Sequence, residues 1–333
     1  MRSRSILHRA ASIVAFVAAL LFLAPLVSAF VDHDLPHFQA QEENRRVETS
    51  RDGTLASVNL FLDSDPLVNL VRFRVDPAHG LFESEFRRDD SDASAAFRTR
   101  VTLTRFLEYR DLNADLHFEN GSDMVVHSWR LDAYKWETTP WRAVFIGGQQ
   151  AQDTAWAANA SGAPDLKFEL GAAGLAFTDE GARVRQQDVV VYVDMKNFPP
   201  RGVGNLYAIE GTISSTPGAS PSVHVVTDAN GTKLPVALLV TTPDRLGFFD
   251  WGGQATLDKV EQNLNVSLFS GSDASGDSSF VVEFPRFDKT ARMVLVSGVE
   301  YRLPDKRSPE AGVAAILATL GVLSLALSTV KRR

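Results

Sequence analysis

Leu70-Val71-Arg72-Phe73-Arg74-Val75 is followed closely by Leu81-Phe82-Glu83-Ser84-Glu85-Phe86, and these two runs decide the fold. In both, apolar and polar residues alternate at nearly every second position. That is the period at which a strand turns one face to a core and the other to water. Val58-Asn59-Leu60-Phe61-Leu62 precedes them with a similar pattern. Comparable runs lie at 99–107, 124–131, 142–146, 166–170, 189–193, 206–213, 223–226, 236–241, 266–269, 280–284 and 293–296. Turn-forming groups separate them, among them Asp76-Pro77, Gly147-Gly148, Pro199-Pro200 and Gly252-Gly253. Many short strands with turn chemistry between them predict an all-β protein, an antiparallel β-sandwich over residues 30–302. Within it only residues 255–263 suggest a helical turn or two. The weakest joints fall at 197–202 and 214–222, so a lobe boundary within 197–222 is the alternative to one large body.

The two ends are of another kind. Met1-Arg2-Ser3-Arg4 and Arg9 are basic, an apolar run covers 13–27, and Val27-Ser28-Ala29 closes it. These are the parts of a cleavable signal peptide, residues 1–29, with cleavage expected after Ala29. At the other end residues 311–330 carry no charge, and Lys331-Arg332-Arg333 follows. About 20 apolar residues at ~1.5 Å each reach ~30 Å, the thickness of a bilayer's hydrocarbon core. A single transmembrane helix over 311–330 is therefore predicted, with a polar stalk at 303–310. The positive-inside rule puts the basic tail, 331–333, in the cytoplasm. The body before it is then extracellular or lumenal, as in a single-pass type I protein.

Pro309-Glu310, the apolar run and the basic cluster together are similar to the tripartite C-terminal sorting signals (PEP/PGF type) of prokaryotic surface proteins. Ala311 departs from the second proline of that pattern. The resemblance implies removal of the tail by a membrane protease, with permanent anchoring as the other outcome.

Composition narrows the chemistry. Cysteine is absent, which excludes disulfides, thiol catalysis, zinc–thiolate sites and iron–sulfur clusters. With the six basic residues of the two ends set aside, 28 basic residues face 41 acidic ones, a net charge near −13. Such a body is a poor partner for nucleic acid, whose binding rests on cationic contacts to phosphate. Four Asn-x-Ser/Thr sequons, at Asn120, Asn159, Asn230 and Asn265, mark candidate N-glycosylation sites. Two of them, Asn120-Gly121 and Asn230-Gly231, coincide with turn signals.

The sharpest candidate site is Asp111-Leu112-Asn113-Ala114-Asp115, whose alternate oxygen-bearing side chains have the spacing of the first half of an EF-hand loop. Leu116 stands where that loop needs Gly, and Ser122 where a bidentate Glu closes it. The wider stretch, 108–126, resembles an acidic hairpin of uncharacterised extracellular β-sandwich surface proteins, chiefly prokaryotic. The parts that match are the aromatic strand at 106–109, the acidic loop at 111–115, Asn120-Gly121 with Asp123, and Val125-Val126. That resemblance implies no activity. The plain reading is a solvated hairpin in which Asp and Asn favour turns; the functional one, second to it, is weak binding of one Ca²⁺ through Asp111, Asn113, Asp115 and either Glu119 or Asp123.

Trp129, Trp136, Trp141 and Trp156 fall close together beside Tyr134. Core packing is one use for them; a contact surface for a glycan or protein is another, with Trp136 and Trp141 the candidates because they flank a loop. Asp32-His33-Asp34 with His37 has the residue types of a metal site but no constraint on its shape. No nucleophile elbow, His-Glu-x-x-His pair or Gly-rich phosphate loop is present. The expectation is a non-catalytic, glycosylated, membrane-anchored surface protein with a ligand-binding or structural ectodomain. A membrane-tethered carbohydrate-active hydrolase and a secretory assembly factor are the alternatives.

Overall fold

The computed structural model describes residues 45–62, 70–87, 96–119, 121–180, 182–199, 202, 204–216, 218–227, 231–243, 245–270 and 277–301. The signal segment, the 32–37 cluster, the stalk, the predicted span, the basic tail, Asn120 and Asn230 lie outside the described residues. Among the described residues no helix is long and apolar enough to cross a membrane.

The first half of the chain forms β1 (Arg45–Asp52), β2 (Leu55–Leu62), β3 (Leu70–Asp76), β4 (Leu81–Arg87), β5 (Phe97–Arg110), β6 (Met124–Arg130), β7 (Lys135–Thr138), β8 (Arg142–Ile146), β9 (Gln149–Asn159) and β10 (Asp165–Ala173). There follow β11 (Phe177–Asp179), β12 (Ala182–Val184), β13 (Asp188–Lys196), β14 (Asn205–Ser215), β15 (Ser220–Thr227) and β16 (Lys233–Thr241). The last six are β17 (Arg245–Asp250), β18 (Gln254–Leu257), β19 (Val260–Asn263), β20 (Asn265–Ser270), β21 (Ser278–Phe284) and β22 (Thr290–Tyr301).

Two antiparallel sheets carry almost all of these strands, in a sandwich-like arrangement. The first has the order β1-β2-β3-β4-β5-β14-β21-β20, with β6 also on β5. The second has the order β15-β16-β17-β22-β13-β10-β9-β7, with β8 on β9 and the β18–β19 hairpin on β22. The alternation quoted above works as expected. Val71, Phe73, Val75, Phe82 and Phe86 point inward, and meet Phe168, Leu170, Val191, Leu238, Phe249 and Leu295 of the second sheet in one core. Phe82 bridges the layers, its ring centroid 5.8 Å from both Phe168 and Phe249. Residues 197–204 carry the chain from β13 in the second sheet to β14 in the first. The main core draws on residues from both sides of 197–222.

Strand β5 is long enough to serve two neighbours on one edge. Its first half pairs with β4 and its second with β6, while β14 runs along the other edge. Thr104 is an extra residue there, because Arg105 faces Glu210 and Leu103 faces Gly211. One inserted residue exchanges the two faces of a strand. Val101 and Leu103 are therefore core residues before the bulge and Phe106 after it, whereas Leu107 and Tyr109 turn to the outer face.

Residues 255–263 are not helical. They form the β18–β19 hairpin, with Asp258 and Lys259 both at positive φ (49° and 72°). Ala255 and Leu257 alternate into the core, so the apolar spacing belongs to period two. Both sheets also gain cover on an outer side. The β11–β12 hairpin lays Phe177, Ala182 and Val184 over Val190, Tyr192 and Val296 of the second sheet. Phe118 caps Leu107, Tyr109, Leu206, Ala208 and Val281 on the first.

Candidate functional site

The acidic loop after β5 is held by that Phe118 cap, whose ring lies 5.1 Å from Tyr109 in an edge contact. Its carboxylates face inward on the loop's own backbone. Asp111 accepts the N–H groups of Ala114 (2.7 Å) and Leu116 (2.8 Å). Asp123 accepts those of Leu112 (3.0 Å) and Glu119 (2.8 Å), and Asp115 accepts that of His117 (2.8 Å). Asn113 donates to Asp115 at 2.9 Å. Ala114 and Leu116 sit at φ near 60°, a strained region for residues with a Cβ, and these bonds support them there. Asp111, Asn113, Asp115 and Asp123 are thus brought together, with their oxygens on N–H donors that a cation would have to displace. Among the described residues no group of three or more His, Asp or Glu side chains is arranged to hold a metal ion.

The tryptophans act as tethers. Each of the five indole N–H groups donates to a backbone carbonyl: Trp129 to Gly162, Trp136 to Leu131, Trp141 to Ser50, Trp156 to Thr54 and Trp251 to Pro235. Trp136 and Trp141 are partly buried against the main core, and Trp136 packs 5.7 Å from Phe168. Both are therefore only partly open to solvent, and the indole donor of each is already used.

The sequons divide. Asn159 is exposed at the end of β9. Asn265 lies on edge strand β20 with its amide nitrogen donating to buried Glu283 at 2.6 Å and contacting His117. Glu283 also accepts Phe118 N–H at 2.9 Å, and burial holds its carboxyl above the usual carboxylate range. Similar pairs of a buried carboxylate with an exposed imidazole occur at Asp76–His79 (2.7 Å) and Glu108–His127 (2.8 Å). Glu108 is fully buried and is fixed by Asn205 (2.6 Å) and Gly202 N–H (3.2 Å).

An open groove of about 540 Å³ lies on the outer face of the first sheet, at the gap on β5 between β4 and β6. His79, Thr102, Thr104, Arg105, Ser128, Arg130, Leu131, Asp132 and Glu210 line it. Gly80, next to His79, sits at φ 65°, where a Cβ would lie 1.8 Å from the Leu103 carbonyl oxygen. The charges in the groove are paired, Arg105 with Glu210 and Arg130 with Asp132. The Arg130 guanidinium holds the Asp132 carboxyl below its ordinary range. An acid kept ionised in this way suits recognition by fixed charges better than proton donation.

Beyond Thr102 the same face continues into two rows that cross three strands. Arg74, Glu83 and Arg100 are register partners in one row; Arg72, Glu85 and Arg98 are partners in the next. Glu83 takes Arg100 at 2.6 and 2.9 Å and Arg74 at 3.4 Å. Glu85 takes Arg98 at 2.7 and 3.2 Å, together with Arg87. Burial pushes the Glu85 carboxyl up, but the bonds from Arg98 and Arg87 outweigh it and hold the group below its ordinary range. The alternation of these strands was readable in the sequence, but their pairing was not, and only the pairing assembles the rows. No family model matches the chain, and no curated protein matches it.

Proposed function

We propose that the chain is a non-catalytic, glycosylated surface protein, held in a membrane by residues 311–330 and displaying a ligand-binding β-sandwich outside the cytoplasm or in a lumen. The observation that carries the binding role is the open groove on the first sheet. Its hydroxyls (Thr102, Thr104, Ser128) and the Arg105–Glu210 ion pair are fixed on sheet strands, so they present a pre-organised polar surface at little entropic cost to a ligand. Anchoring and export rest on the sequence of the two ends.

Two measurements test the reading. Display of the full chain in a secretory host, followed by membrane fractionation and protease accessibility, should recover it in membranes with the β body outside. Full recovery as a soluble intracellular chain would sink it. A screen against polysaccharides and proteins should show retention without turnover. Asp132 and Glu210 line one groove, which is what favours a second reading as a carbohydrate-active hydrolase. Release of reducing ends from a retained polysaccharide would establish that reading instead.

A further inference from the structure

We infer that the outer face of β3, β4 and β5 is a docking surface for an acidic polysaccharide. The inference rests on the binding role proposed above and names its ligand class. The body as a whole is strongly acidic, yet among the described residues on the outer face of β3–β5 the four cations Arg72, Arg74, Arg98 and Arg100 stand with Glu83 and Glu85. Asp76, at the far end of β3, is taken by His79. A local excess of cations on a protein of the opposite net sign focuses the field on one patch.

The arrangement is built rather than scattered. The side chains of Glu83 and Glu85 are 1% and 3% exposed, whereas those of Arg74, Arg98 and Arg100 are 41%, 43% and 43% exposed. The carboxylates thus lie beneath and brace the guanidinium groups, which reach water. Arg98 and Arg100 each spend Nε and Nη2 on a glutamate. Nη1 of each has no partner among the described residues. Arg72 is held through Nε by Asn59 at 2.9 Å. Planar guanidinium forks held at fixed points recognise carboxylate and sulfate oxygens. Strand spacing sets cations on β3 and β5 about 10 Å apart across β4, and about 7 Å apart along each strand.

The neighbours of the arginines decide the class of polymer. Ser57 is the register partner of Arg74 and Ser214 that of Arg100, and Thr102 leads on into the groove with Thr104 and Ser128. Hydroxyl and amide groups interleaved with guanidinium suit a chain that carries both hydroxyls and acids. Base stacking has no support here, since among the described residues no aromatic ring lies between the arginine rows on this face.

The test is binding of the full chain, in detergent micelles at about 0.1 M salt, to immobilised alginate (carboxylated) and heparin (sulfated). Dextran, single-stranded DNA and polyglutamate serve as comparisons. Retention on alginate or heparin is expected, and which of the two is stronger separates carboxylate from sulfate. Arg98 and Arg100 each hold a buried glutamate by two bonds, so the variant chosen is Arg72→Gln/Arg74→Gln, which leaves those bonds in place and gives up only the longer Arg74–Glu83 contact of 3.4 Å. It should bind about tenfold more weakly with a shallower salt dependence. Lys135→Gln/Lys196→Gln, on the second sheet, loses the same charge and should bind as the parent does. Parent-like binding by the arginine variant, or no retention on either acidic polysaccharide, overturns the inference. So does equal retention on DNA or polyglutamate. Retention on dextran alone overturns it while leaving the binding role standing.

Discussion

Asp188 offers the most quantitative prediction. It is 1% exposed at the start of β13, where Arg185 N–H donates to its Oδ2 at 3.1 Å. Its other oxygen has no hydrogen-bond partner and lies against Gly298, where a Cβ would stand 2.0 Å from it. Arg185 pairs instead with fully buried Glu300. Burial drives the Asp188 carboxyl from 3.8 up to about 7; Arg185 opposes this and the Glu300 charge adds to it. Between those two pH values the folded chain holds a proton that the unfolded chain releases. Stability is therefore greatest below the unfolded value, falls as pH rises from about 3.8 to about 7, and is level above that. A shift of about 3 units at ~1.36 kcal/mol each corresponds to about 4 kcal/mol across the window. Asp188→Asn keeps the shape and removes the titration. Urea unfolding followed by the fluorescence of buried Trp156 and Trp251 should show the variant gaining about 4 kcal/mol on the parent between pH 4 and pH 8. At an m-value of ~3 kcal/mol/M, that is a relative midpoint change of roughly 1.3 M. Glu300→Gln should move the parent's window to lower pH by removing the like charge. A difference between parent and Asp188→Asn that is constant with pH refutes the reasoning.

Other outcomes follow from single contacts. Gly80→Ala would force a Cβ into the Leu103 carbonyl at a left-handed φ, so a loss of about 3 kcal/mol or more is expected in thermal melting. Trp156→Phe removes the bond to Thr54 and weakens the stack beneath the Arg51 guanidinium, 4.5 Å from the ring, for a loss of about 2 kcal/mol. Asp111→Ala leaves two N–H groups of a strained loop without their acceptor. Water can reach both groups, so it should cost about 1 kcal/mol and raise hydrogen exchange at Ala114 and Leu116. In a glycosylating host, Asn159→Gln should remove one glycan's mass, whereas Asn265→Gln should leave the mass unchanged, because that amide is engaged by Glu283.

Strands with alternating large apolar residues were legible from the sequence because burial of one face is written into every second position. β1, β9 and β17 were not. Arg45–Asp52 reads as a charged segment, with Val47 its only aliphatic residue, and Gln149–Asn159 is built on alanine, which has little strand preference. Both are specified by what they pair with. The β18–β19 hairpin is hidden in the sequence because its turn uses Asp258 and Lys259 at positive φ, with no Asn-Gly to announce it. The loop at 111–123 was visible as an oxygen-rich cluster. Its backbone acceptor role was not, since that depends on where Phe118 docks. Trp136 and Trp141 flank a loop in the sequence, and their neighbours gave no sign that their N–H groups reach Leu131 and Ser50. The guanidinium rows needed the registers of three strands, information that no single segment contains.

Strand β22 has a mechanical consequence. It lies between β13 on one side and β17 and β18 on the other, paired from Thr290 to Tyr301. Antiparallel backbone bonds stand perpendicular to the strand axis. A pull on the chain beyond Tyr301 therefore loads them in shear, many at once, and the sandwich must yield across its second sheet before the strand slides out. A pull at Arg45 meets an edge strand whose pairs to β2 can open one after another. The body is thus strong toward its C-terminal side and weak toward its N-terminal side. A single-molecule stretching experiment with handles at the two ends should record the unzipping of β1 well before the rupture of β22.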